Sequence, residues 1–99
     1  MNADDHKQPD CGAGSQRIDK FLWFARLTKT RSEARRLAES RHLRIDGRVI
    51  TRASVCIRPG SIIAYARADA VHVVRVEALA ARRGPFEQAR HLYCNLTQD

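Results

Sequence analysis

Residues 17–50 read RIDKFLWFARLTKTRSEARRLAESRHLRIDGRVI, and this stretch decides the fold. Ile18, Phe21, Leu22 and Ala25 recur at i, i+3, i+4 and i+7, which predicts one face of a helix over 18–27. Trp23, Phe24 and Leu27 fall on its other side, so the helix is apolar nearly all round and needs cover on two faces. Thr30 followed by Glu33 reads as a capping box that opens a second helix, running to about Ser40 with Ala34, Leu37 and Ala38 as its inward stripe. Thr28 and Lys29 join the two in a tight helical hairpin. Leu43, Ile45 and Val49 then alternate around Asp46-Gly47, the strongest two-residue signal for a β-hairpin.

Pro59-Gly60 marks a further turn, after which Ile62 to Arg67 and Val71 to Ala78 read as strands joined by Ala68, Asp69 and Ala70. Gly84-Pro85 opens a third helix, with Phe86, Ala89, Leu92 and Tyr93 on one face. Trp23 is expected to pack under that helix through Phe86 or Leu92. His72 is expected to face solvent, because Val71 and Val73 point the other way along the strand. His42 and His91 read as surface residues. Upstream, residues 1–16 hold Pro9, Gly12 and Gly14 with almost nothing apolar and read as a disordered tail. The fold class is α+β: two antiparallel helices packed on a small, mostly antiparallel sheet, plus a C-terminal helix, with no internal repeat.

Ninety-nine residues leave room for one domain. Lys and Arg number 18 against 11 Asp and Glu, for a net charge of +7, and residues 17–52 carry the equivalent of that whole excess. Such a balance suggests a polyanionic partner. Apolar runs are far too short to span a bilayer, and the amino terminus lacks the apolar core of a secretory signal, so a cytoplasmic location is expected. The basic residues do not lie on one long amphipathic helix, which argues against a membrane surface. Cys11, Cys56 and Cys94 are odd in number and widely spaced, so free thiols in a reducing compartment are expected rather than a disulfide framework. His91 and Cys94 stand three apart, but no second pair completes a metal site.

Arg31 and Arg35 form a like-charge i, i+4 pair whose repulsion an external anion would relieve. The plainer reading pairs Arg36 with Glu33 and Arg35 with Glu39 on a solvated face. Position favours the anion: Arg17, Lys20 and Lys29 lie near the ends of the first helix, Arg31 and Arg35 early in the second, and Arg44 and Arg48 at the hairpin. A convex basic surface of this kind suits phosphate contacts to structured RNA.

The blocks Arg17-Ile18-Asp19-Lys20-Phe21-Leu22-Trp23, Lys29-Thr30-Arg31-Ser32, Ala34, Leu43-Arg44-Ile45-Asp46-Gly47, Ser54 and Pro59-Gly60-Ser61-Ile62 resemble the alpha-L RNA-binding domain of ribosomal protein S-four. The resemblance covers residues 17 to about 66. Beyond it, Arg82-Arg83-Gly84-Pro85 with Ala89 and Leu92-Tyr93 resembles the carboxy-terminal extension of stand-alone, ribosome-associated heat-shock members of that family, making 67–99 a strand and helix packed on the same core. The resemblance implies RNA contacts from Arg17, Lys20, Lys29, Thr30, Arg31, Ser32, Arg35, Arg36, Arg44, Asp46, Gly47, Arg48 and Arg52, although Thr30 and Ser32 could cap the second helix instead. It also implies binding to ribosomal RNA, in the form of the free large subunit that carries a nascent chain on tRNA, and return of that subunit to use under heat stress. The chain departs from the family by having Ser40, Arg41 and His42 where a glycine is usual, so a non-glycine residue must end the second helix.

Three functions compete. The first is a non-catalytic, monomeric binder of ribosomal RNA without cofactor or metal. The second is an RNA-acting enzyme, disfavoured because only about 30 residues lie outside the binding unit and Asp69, Glu77 and Glu87 have no partner base. The third is a general nucleic-acid adaptor, binding RNA or, weakly, DNA on the basic face and a protein on the C-terminal helix.

Overall fold

The computed structural model describes residues 11–97. Of the expected tail, residues 1–10 lie outside the described residues, whereas Gln16 already belongs to a strand. The elements in chain order are β1 (Gln16–Arg17), α1 (Ile18–Phe24), α2 (Arg31–Glu39), β2 (Leu43–Ile45), β3 (Arg48–Val49), β4 (Cys56–Ile57), β5 (Ile62–Arg67), β6 (Ala70–Val76), α3 (Phe86–Ala89), a 3-10 turn (Arg90–Leu92) and β7 (Tyr93–Asn95). Five strands form one antiparallel sheet in the order β3-β2-β5-β6-β7, and β1 pairs with β4 separately. The α+β class follows: the apolar faces of α1 and α2 pack with one face of the sheet in a single core of Ile18, Phe21, Leu22, Ala34, Ala38, Leu43, Ile63, Val74 and Val76.

Helix α1 is shorter than its apolar periodicity suggests. Ala25 closes it and Arg26 takes a left-handed φ of 60°. The Arg26 and Leu27 amides donate to the carbonyls of Trp23 and Leu22 at 3.0 and 2.9 Å, the bonding of a Schellman ending with arginine where glycine is usual. Helix α2 also ends on a left-handed arginine, Arg41 at φ 70° after the Ser40 cap, but there the His42 amide donates to the Ser40 hydroxyl at 3.1 Å. Both departures from glycine cost strain of roughly 1 kcal/mol each. Arg26 has a compensating tie, since its Nε donates to the Gly84 carbonyl at 2.8 Å.

The hairpin forms as its dipeptide demands. Asp46 and Gly47 adopt φ 51° and 87°, the two consecutive left-handed residues of a type I′ turn between the paired Ile45 and Arg48. A second turn of this kind, at Ala68 and Asp69 with φ 54° and 64°, joins β5 to β6 without glycine.

Three expectations need correction. The C-terminal helix is only the four residues of α3, after which Leu92 sits in the 3-10 turn and Tyr93 begins β7, so their spacing belongs to no single helical face. Phe86 is 57% exposed. Trp23 is covered instead by Arg83, whose guanidinium carbon lies 5.4 Å from the ring centroid and whose Nε donates to the Trp23 carbonyl at 3.0 Å. His72 lies on the same side of β6 as Val74 and Val76, stacked on Tyr65 with ring centroids 5.1 Å apart; the outward residue is Val71. Alternation fixed the period of β6 but not which parity met the core. Burial raises the Tyr65 phenol above its ordinary pKa, partly opposed by Arg67 and reinforced by Tyr93, so it stays neutral and its contribution is lost only as pH rises through that raised value.

Cys11 and Cys56 are joined in a disulfide, contrary to the expectation of free thiols, and only Cys94 is free among the described residues. Spacing along the chain says nothing here, because β1 and β4 bring the two together across 45 residues.

Candidate nucleic-acid interface

Three elements meet at Asp19, the centre of the basic segment. Its carboxylate is 3% exposed, yet it lies under a cationic face. Arg17 in β1 grips it with two bonds, Nε to Oδ1 at 3.0 Å and Nη2 to Oδ2 at 2.9 Å. Arg31, the first residue of α2, reaches the same Oδ2 from the other side at 3.6 Å. The Lys20 amide donates to Oδ1 at 2.8 Å. The two arginine side chains remain 32% and 43% exposed, so an anion can still approach them. A buried carboxylate is tolerated only with such partners, and here it fixes two arginines in place.

The pairing that presents Arg17 is non-local. Arg17 registers with Cys56, and the Ile18 amide donates to the Val55 carbonyl at 2.8 Å. The Asp19 amide donates to the Ala53 carbonyl at 3.4 Å, which sets exposed Arg52 beside the start of α1.

At the start of α2, Thr30 is the cap: its Oγ1 accepts from the Glu33 amide at 3.0 Å, and Glu33 reaches back to the Lys29 amide at 2.8 Å. Thr30 is therefore engaged structurally, while Lys29 and Ser32 are exposed. Arg35 pairs with Glu39 at 3.4 Å as the plainer reading expected, both ends exposed. Glu33, however, pairs with Arg67 of β5 rather than with Arg36.

Arg44 points away from the core, between the buried Leu43 and Ile45. Arg48 lies on the outer strand of the hairpin and is also exposed. Asp46 serves the fold: its carboxylate accepts from the Ile62 amide at 2.9 Å while its own amide donates to the Ile62 carbonyl at 2.8 Å. With Gly47 it shapes the turn that presents Arg44 and Arg48. Among the described residues Lys20, Lys29, Arg36, Arg44, Arg48 and Arg52 make no ion pair.

The structure therefore brings the Arg17 and Arg31 side chains together on Asp19, with Lys20 and Arg52 nearby along the backbone, and holds Arg44 and Arg48 on the hairpin. Sequence reasoning missed the anchoring role of Asp19, which two flanking arginines at positions 17 and 31 could have signalled, and the Glu33–Arg67 pair, which no local spacing announces. No group of three or more metal-ligating side chains occurs among the described residues. No helix among them is long and apolar enough to cross a membrane.

The S4 domain family profile matches residues 16–63, the span from β1 into β5 that contains both groups of cations. The chain carries an S4 domain, an α+β module built as the sequence blocks suggested. Small ribosomal subunit protein uS4 of Azobacteroides pseudotrichonymphae is 30% identical over 87 residues, 78% of this chain and 44% of that protein. The uS4 proteins of Elusimicrobium minutum and Kosmotoga olearia are 34% and 31% identical over 47 and 67 residues, 23% and 32% of their lengths. The chain thus spans less than half of each of these relatives. A trimeric structure of Vibrio cholerae heat shock protein 15 superposes with a TM-score of 0.75 at 28% identity, covering 82% of this chain and 81% of that one. The likeness to heat shock protein 15 extends past the S4 domain into the C-terminal extension.

Proposed function

We propose that this chain is a non-catalytic RNA-binding protein of the ribosome, and that its target is the free large subunit carrying a nascent chain on tRNA, returned to use under heat stress. The observation that carries the reading is the Asp19 anchor, which orients Arg17 and Arg31 within an S4 domain while Arg44, Arg48 and Arg52 have no ion-pair partner among the described residues. Oriented guanidiniums set phosphate contacts, and unpaired ones add attraction to the polyanion. Lys20, Lys29, Ser32, Arg35 and Arg36 complete the RNA-facing set; Thr30, Asp46 and Gly47 act through the elements they shape. The choice of the large subunit is supported by likeness to heat shock protein 15 along most of both chains, whereas the small-subunit proteins are matched over less than half of their own length. A cytoplasmic location follows from this target. The adaptor reading would place its protein partner on α3, a single turn that carries the exposed Phe86.

Sedimentation of the tagged protein from lysate through a sucrose gradient at physiological salt tests the reading. Co-migration with the large subunit, rising under conditions that release subunits with nascent chains, is expected. Migration with the small subunit overturns the choice of subunit, and retention at the top overturns the ribosomal target. In purified RNA binding, Arg31→Ala with Arg35→Ala is expected to lower the log–log salt slope by about 1.5 while the domain stays folded. The mass of the complex checks the expected monomer against a trimer like that of the Vibrio protein.

A further inference from the structure

We propose that the cleft on the far flank of α2 is a pocket for one unpaired guanine nucleotide of the bound RNA, an inference that rests on the RNA-binding reading. Helix α2 turns one flank to Asp19 through Arg31 and the other to β5 through Glu33. On that second flank Glu33, Arg36, Leu37, Ser40, His42 and Arg67 line a cleft of about 300 Å3. This is at the lower end of the range of roughly 300 to 1,000 Å3 seen for ligand pockets, a size for a single nucleotide rather than a larger cofactor.

The lining is ordered for a ring with a polar edge. Leu37 supplies half-buried apolar surface, and exposed His42 supplies a flat ring of the kind on which unpaired bases stack. Ser40 braces the wall: its hydroxyl donates to the Leu37 carbonyl at 2.8 Å and accepts from the His42 amide at 3.1 Å. Arg67 is held by the Leu27 carbonyl and Glu33.

Glu33 is the specificity element. One carboxylate oxygen accepts from the Lys29 amide and the other from Arg67, and each has a second lone pair. Two acceptors side by side therefore remain. Among the four RNA bases only guanine carries two adjacent donors, N1–H and the N2 amino group, on its Watson–Crick edge; adenine, cytosine and uracil each place an acceptor next to their donor. A paired base has that edge occupied, so the guest is unpaired. A bare phosphate is the poorer fit, because the Glu33 carboxylate repels it, whereas Arg36, exposed and without an ion pair among the described residues, can take the phosphate of a bound nucleotide at the rim.

The test titrates nitrogen-15-labelled full-length protein with guanosine and adenosine 5′-monophosphates, alongside salt-dependent binding of a fully paired RNA hairpin. Guanosine monophosphate is expected to shift the amides of residues 36–42 and of Arg67 and to bind about tenfold more tightly than the adenosine nucleotide. Glu33→Gln is expected to bring that ratio near one, and His42→Ala, at an exposed position, to weaken guanosine binding about fivefold or more. Equal affinity for the two nucleotides, shifts confined to the surroundings of Arg17 and Arg31, or unchanged binding by His42→Ala overturns the pocket. If the hairpin still binds with a steep salt slope, the pocket alone has failed; if the hairpin does not bind either, the RNA-binding reading fails with it.

Discussion

Arg17 and Arg31 converge on a carboxylate that is 3% exposed, whereas Arg44, Arg48 and Arg52, drawn from the same basic segment, have no ion-pair partner among the described residues. The first group gives up part of its charge and gains a fixed direction. The second keeps its full charge with no carboxylate to direct it. Fixed donors set where a phosphate sits, and free charge sets how strongly the polyanion is drawn in. A count of cations treats the two groups as equal, although they contribute in different ways.

The strongest way to break this contrast is to cut the crosslink that backs the oriented group. Cys56→Ser opens a loop of 45 residues and is expected to lower unfolding stability by about 4 kcal/mol in the chain-entropy account, read as a lower urea midpoint under oxidising conditions. Because Cys56 registers with Arg17, RNA affinity should fall with it. Equal midpoints for wild type and variant would remove the bond from the account.

Next in size, Asp19→Ala removes the anchor itself and is expected to cost about 2 kcal/mol. It raises net charge by one, so pure charge attraction predicts tighter RNA binding. The orientation argument predicts weaker binding, and a filter-binding titration separates the two.

Arg44→Ala with Arg48→Ala should change stability least, within about 0.5 kcal/mol, because both side chains are exposed and neither has an ion-pair or hydrogen-bond partner among the described residues. The salt slope of RNA binding should nonetheless fall by about 1.5. A marked loss of stability would mean that the hairpin arginines are structural after all.

The fold was legible where local chemistry acts alone. Thr30 with Glu33 announced the cap of α2, Asp46-Gly47 announced the hairpin, and the motif blocks from Arg17 to Ile62 announced the α+β arrangement. What could not be read depended on partners distant along the chain. Arg83 covers Trp23 from 60 residues away, Arg67 takes Glu33 from 34 away, and Cys11 meets Cys56 across 45. The parity of β6 was missed for a similar reason: Val71, Val73, Val74 and Val76 give apolar residues on both faces, so only the packing of α1 and α2 decides which face is inner. In the candidate site the cations could be picked out by type, but the carboxylate that orders them reads in sequence as an ordinary helix-start acid.

The pairing of β1 with β4 also imposes an order on synthesis. Arg17 is made early, but the strand that positions it ends at Ile57, and the loop that seats α1 holds Ala53 and Val55. Until those residues have left the ribosome, Asp19 has no closed surroundings and Arg17 no fixed direction. A chain released before Ile57 retains most of the positive charge of the basic segment without the geometry that directs it, so the binding face is completed after most of its residues have been made.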